Sequence, residues 1–156
     1  FEQYLNYFSL DTDMSITVFR LPNVYGNRQR PDLEGGVIAI FYGLMSQEMP
    51  INIFGDGKQT RDWVYVDDIT DAFYKALSNH EKLDMFLLGS NTETSLNDLF
   101  ECLLHVTEYK GEPQYSNPRA GDIKNMVMSY RKANLALSWK PRTSLFEGIK
   151  KLTKGN

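Results

Sequence analysis

The stretch IFGDGKQTRDWVYVDD, Ile53 to Asp68, runs from an apolar segment through a glycine turn into an aromatic, β-branched segment. INIF (51–54) reads as a short strand, GDGK as a turn and RDWVYV as a second strand. Arg61 stands beside the turn, and an arginine can hold two phosphate oxygens in its planar fork. Gly55 and Gly57 would let backbone pass close to a ligand. The nucleoside-triphosphate loop, in which glycine, four residues and then Gly-Lys-Ser/Thr succeed one another, is absent. Two readings stay open on these residues alone: a phosphate grip, and a hairpin turn carrying a surface arginine.

On either side, helical and strand patterns alternate. FEQYLNYF places Phe1, Tyr4, Leu5 and Phe8 at i, i+3, i+4 and i+7, an amphipathic helix with no capping residue before it. A helix already running at the first residue predicts that the chain is cut from something longer. Ile16–Leu21 reads as a buried parallel-type strand, broken by Pro22 and followed by a loop through Gly26. The polar loop NRQRPDLEGG leads into a helix on VIAIFYGLMSQ, with Ile38, Phe41, Tyr42 and Met45 at helical spacing. Asp67 or Asp68, with Asp71, predicts a capped helix through about Leu77. DMFLLGS is a further buried-type strand, and capping boxes at Ser95/Asp98 and Ser144/Glu147 open two more helices. Alternation of this kind predicts an α/β fold.

Composition narrows the functional classes. At 156 residues the chain is one domain or part of a larger one, and its 42% hydrophobic and 13% aromatic content suffices for a packed core. A net charge of −3 without a basic stripe argues against a nucleic-acid partner. The single Cys102 precludes an intrachain disulfide and suits a reducing compartment. His80 and His105 lack metal-ligand spacing, so no metal site is expected. No membrane-length apolar run or signal peptide is present, and a cytoplasmic location is expected.

Other candidate chemistry is sparse. Arg119, in NPRAGDI, follows Pro118 and precedes Gly121 in a loop placed between two helices, and could close with Arg61 on one diphosphate. Asp67 and Asp68 fit capping better than acid/base catalysis. His105 suits a packing or surface position, and Cys102 a small core residue. Tyr25, Tyr65 and Tyr130 lack the lysine four residues on that would suggest an activated phenol.

Five segments succeed one another: RLPNVYG (20–26), GDGKQTRDWVYVDDITDAF (55–73), FLLGSNTETSLNDL (86–99), PRAGDI (118–123) and SWKPRTSLFEGIKK (138–151). In this order they resemble the C-terminal half of the extended short-chain dehydrogenase/reductase family, and within it the NAD-dependent nucleotide-sugar epimerases and dehydratases of the UDP-glucose 4-epimerase kind. The resemblance implies the C-terminal part of a Rossmann-type fold: the last sheet strands plus a smaller α/β substrate-binding domain. Residues 1–26 and 63–90 would belong to the Rossmann domain, and 27–62 and 91–156 to the substrate domain.

The resemblance also implies roles. Asn23 matches the asparagine that contacts the nucleotide sugar, and Leu21 and Pro22 match backbone near the nicotinamide of NAD. Val37 and Ile38 match a segment lining the nucleotide pocket, while Asn52 and Phe54 match base-contacting positions. Arg61 and Arg119 match the two arginines that clamp the diphosphate, with Asp122 in the same motif. This favours the grip over the hairpin. The helix opened by GGVIAIF (35–41) lacks the proline and arginine often found at its start in the family.

The glycine-rich dinucleotide loop and the Tyr-x-x-x-Lys pair would lie before Phe1, the lysine roughly three residues upstream. No catalytic residue is therefore expected in this chain, which alone would be inactive. At full length the implied reaction is hydride abstraction to a transient 4-keto sugar and re-reduction, on a UDP-sugar, in a homodimer. The alternatives are a 4,6-dehydratase or reductase of the same family, or a non-catalytic nucleotide-sugar binding module. Strands Ile16–Leu21 and Met85–Leu88 would belong to a sheet whose other strands are missing, leaving exposed edges, so the isolated chain is expected to fold poorly or self-associate.

Overall fold

A computed structural model describes residues 1–32, 36–79, 81 and 83–154. His80 and residues 33–35 of the polar loop lie outside them. The elements are α1 (Glu2–Asp11), β1 (Ile16–Arg20), β2 (Asn23–Tyr25), α2 (Val37–Met45), β3 (Ile51–Phe54), β4 (Thr60–Arg61), β5 (Trp63–Tyr65), α3 (Val66–Ala76), β6 (Leu83–Leu87), β7 (Thr94–Ser95), α4 (Leu96–Thr107), β8 (Pro113–Ser116), α5 (Arg131–Leu137) and α6 (Leu145–Lys154). The fold is α/β and mostly parallel. β1 pairs with β6, β2 with β5 and β3 with β8 in parallel, and β4 pairs antiparallel with β7.

The pairings correct several expectations. RDWVYV is two strands, because Asp62 turns inward between β4 and β5 and is fully buried. Its carboxylate accepts from the Ser90 backbone N–H at 2.9 Å, the Ser90 hydroxyl at 2.6 Å and the Met128 N–H at 2.9 Å. Buried carboxylates persist only when donors satisfy them, so this one carboxylate fastens two distant loops beside β5. The hairpin reading of GDGK fails: β3 and β4 do not pair with each other. The segment after Pro22 is strand β2 rather than loop, and it recruits β5 through Asn23↔Trp63 to Tyr25↔Tyr65. β1 and β6 pair with each other, from Ile16↔Leu83 to Arg20↔Leu87, in a two-stranded sheet among the described residues, so each strand has one paired edge.

Capping follows the sequence in two of three cases. Ser95 and Asp98 form a capping box on α4, and Ser144 and Glu147 exchange the same bonds ahead of α6. At α3 the N-cap is Tyr65, without a side-chain cap bond, and Asp68 is spent elsewhere. Its carboxylate accepts from the Arg142 and Thr143 N–H groups at 3.1 and 2.9 Å, and its carbonyl accepts from Trp139 Nε1 at 2.8 Å. Asp68 thus ties α3 to the segment before α6.

Two apolar clusters result. One joins α2, β3, α4 and α6 through residues such as Phe41, Ile53, Leu103 and Ile149. The other joins β6, α3 and α5 through Phe86, Ala72 and Ala133, with Trp139 just beyond α5. Strand β5 stands between them, with Trp63 and Tyr65 facing the first and Val64 the second, as strand alternation requires.

Candidate functional site

The glycine turn fixes where Arg61 begins. Gly55 and Gly57 sit at φ +82° and +73°, which side-chain-bearing residues rarely adopt, and a Cβ on Gly57 would meet Asn97 Oδ1 at 1.9 Å. Asn97 closes the turn by donating to the Asp56 carbonyl at 3.0 Å. Beyond it, alternation along β4 and β5 sends Asp62 inward and leaves Arg61 and Trp63 on the wall of one cavity.

That cavity, of about 290 Å³, gathers side chains from across the chain. Asn23 of β2, Val37 of α2, Asn52 and Phe54 of β3, Arg61 of β4, and Arg119 and Asp122 of the loop after β8 all line it. Val37 is the first residue of α2, so the helix end whose N–H groups lack intrahelical acceptors borders the cavity. Ile38 does not reach it: its side chain is in the core, 1% exposed. Leu21 and Pro22 lie outside it as well, between β1 and β2. Arg119 follows a strand, β8, that the sequence pattern did not reveal, rather than a helix.

The charged groups are already engaged with one another. Arg61 donates to Asp122 at 2.5 Å and to the Ile123 and Thr60 carbonyls at 2.6 and 2.8 Å. The Arg119 guanidinium lies 4.0 Å above the centre of the Phe54 ring. Asn23 donates to the Asp62 carbonyl at 3.2 Å, and Asn52 accepts from the Ser116 hydroxyl at 2.7 Å. Phe54, Gln59, Arg119 and Asp122 also border a second, larger cavity of about 970 Å³, which reaches Tyr115, Lys58 and Lys124. Two guanidinium groups, amide side chains, an aromatic face and a helix N-terminus make a site suited to a phosphorylated ligand with a flat ring.

Residues 1–89 match the NAD dependent epimerase/dehydratase family. The chain belongs to that family. It is 39% identical to a putative UDP-glucose 4-epimerase of Methanocaldococcus jannaschii over 97% of this chain and 48% of that protein. To the dTDP-4-dehydro-6-deoxyglucose reductase of Escherichia coli it is 30% identical over 98% of this chain and 48% of that one. The structure of the Thermotoga maritima UDP-glucose 4-epimerase with UDP-glucose superposes with a TM-score of 0.94 at 40% identity, over 98% of this chain and 49% of that one. The chain therefore spans about half the length of the curated relatives it matches.

Burial pushes the Tyr25 phenol well above its ordinary range, and its hydroxyl donates to the Leu145 carbonyl at 3.3 Å. Burial also raises Tyr65 and the Cys102 thiol, so neither is an activated acid or nucleophile. His105 is exposed and bonds its Nδ1 to the Glu101 carbonyl at 2.8 Å. Among the described residues no cluster of His, Cys, Asp and Glu could hold a metal, and no helix is long and apolar enough to cross a membrane.

Gln59 was missed from sequence. It borders both cavities and donates from Nε2 to the Phe54 carbonyl at 2.7 Å, steadying the ring's backbone. A glutamine in a turn carries no pattern that would single it out.

Proposed function

We propose that this chain is the substrate-binding portion of an NAD-dependent nucleotide-sugar epimerase, with Arg61 and Arg119 holding the diphosphate of a UDP-sugar. The observation that carries this reading is the convergence of Asn23, Val37, Asn52, Phe54, Arg61, Arg119 and Asp122 on one cavity. These residues come from four separate stretches of chain. The diphosphate would take the two guanidinium groups and the α2 N-terminus, and Phe54 would lie against the base. Anchoring the remote diphosphate lets its binding energy orient the sugar for reaction.

NAD supplies hydride acceptance and return when bound. Leu21 and Pro22 fit such a partner, since they follow the carboxyl end of parallel strand β1, the end at which ligands bind in open α/β sheets. Leu21 is 42% exposed there, an apolar surface for a flat ring. The catalytic tyrosine and lysine and the glycine-rich loop are assigned to the part of the relatives' length that this chain does not span, the full-length protein is a homodimer, and the chain alone is inactive on this reading. Residues 1–26 and 63–90 belong to the dinucleotide side, and 27–62 and 91–156 to the substrate side, with α5 docked on the dinucleotide side. The second apolar cluster draws Val64, Ile69, Ala72, Phe86 and Leu88 from the dinucleotide side, while Tyr25, Trp63 and Tyr65 of that side pack into the first cluster.

The similarity to a dTDP-sugar reductase keeps a second reading in view, a reductase or 4,6-dehydratase with the same diphosphate site. Product analysis of the full-length protein with UDP-glucose separates them, since only an epimerase returns an isomeric UDP-sugar. A third reading, a binding module without catalysis, requires that no Tyr-x-x-x-Lys pair be encoded upstream. The site itself is tested by titrating UDP-glucose calorimetrically against the full-length protein and its Arg61→Ala and Arg119→Ala variants. A charge-assisted contact is worth about 1.5–3 kcal/mol, so each loss weakens binding about ten-fold or more. Unchanged affinity in both variants overturns the assignment.

A further inference from the structure

The ligand-binding arginines are both occupied by the protein itself. Arg61 gives one nitrogen to Asp122 and another to the Ile123 and Thr60 carbonyls, and its side chain is only 17% exposed. Arg119, three residues before Asp122, covers the face of Phe54. Both substitutes sit on one loop, with Gly121 between them at φ +78° and nothing within 4 Å of where its Cβ would be. That loop also forms part of the wall between the 290 and 970 Å³ cavities.

We propose that Asp122 is a specificity-determining residue: its carboxylate is a built-in anion on Arg61, which only a ligand able to displace it and lift Arg119 off Phe54 can replace. The inference rests on the reading of this cavity as a nucleoside-diphosphate site. A tethered carboxylate competes at high effective concentration, so a singly charged anion exchanges one ion pair for another and gains nothing. A bare diphosphate displaces Asp122 but offers Phe54 no ring to replace Arg119. A nucleoside diphosphate does both, and both acts move the same loop. Selectivity then arises from a competing contact as much as from an attractive one.

The test compares inorganic pyrophosphate with UDP-glucose on full-length wild type and Asp122→Asn, by calorimetry at fixed salt. Pyrophosphate has no ribose or base, so it isolates the competition from any direct contact of Asp122 with a nucleoside. The variant should bind pyrophosphate about three- to five-fold tighter, the size expected when a partly exposed ion pair no longer has to be broken. The ratio of UDP-glucose to pyrophosphate affinity should fall accordingly. Asp122→Ser should change pyrophosphate binding in the same direction, and adding Arg61→Ala to Asp122→Asn should abolish the gain. Pyrophosphate binding that is unchanged or weaker in both Asp122 variants overturns the proposal. A gain for pyrophosphate in a protein that does not bind UDP-glucose supports the built-in anion and overturns only the nucleotide-sugar reading.

Discussion

Helices α1 and α4 carry the same kind of apolar stripe, and the protein treats them in opposite ways. In α4, Leu99 and Leu103 are fully buried and Phe100 nearly so, packed among α2, β3 and α6. At α1, the N-cap Phe1 is 91% exposed, Tyr4 70% and Phe8 53%, and the only buried residue of the helix is Ser9. The helix rests on β1 and β6 and is fastened by Glu2 to Arg20 at 2.5 Å, an exposed ion pair of small worth. Periodicity reports that a helix has an apolar face; it says nothing about whether the covering elements are on the same chain. The curated relatives the chain matches are about twice its length.

The comparison breaks most sharply at Leu103. Leu103→Ala removes a fully buried side chain from a closed core and should cost about 2–5 kcal/mol, because the cavity left behind relaxes only in part. Denaturant unfolding of wild type and variant measures it. A cost below about 1 kcal/mol would mean that the core around α4 is loose, and that the contrast with α1 is one of degree.

What could be read from the sequence follows the same line between local and distant causes. The boxes Ser95/Asp98 and Ser144/Glu147 were legible because cap and partner lie three residues apart. Asp68 was misread as a cap because the N–H groups it serves belong to Arg142 and Thr143, more than seventy residues on. Strand β2 was invisible after Pro22, being three residues long and defined by its pairing with β5, and β8 likewise by its pairing with β3. The site divides similarly. The identities of Arg61 and Arg119 were suggested by local glycine and proline context, but no pattern in the chain tells that Asp122 would reach Arg61 or that Arg119 would cover Phe54. Only the resemblance to the family brought those residues to one place.

A second, smaller effect sharpens the contrast at the helix ends. α4 opens on a complete box, with Ser95 Oγ accepting from the Asp98 N–H at 3.0 Å, whereas α1 has no side-chain cap. Ser95→Ala should therefore destabilise by about 1 kcal/mol, the usual worth of an N-cap. The same unfolding assay reads it, and a neutral result would mean that core burial alone holds α4.

The smallest effect belongs to α1 and is the most diagnostic. Phe8→Ala, measured in this 156-residue chain, should change stability by no more than about 0.5 kcal/mol, since a ring already 53% exposed loses little contact on truncation. The same substitution in the full-length protein should cost several times more if further chain covers this face, because the ring would then be taken out of water. Equal and small costs in both contexts would show that α1 stays bare in the complete protein and that its apolar stripe serves an outside partner. A cost in the short chain approaching that of Leu103→Ala would show that the face is already covered there, by self-association, which sedimentation of the same sample would detect.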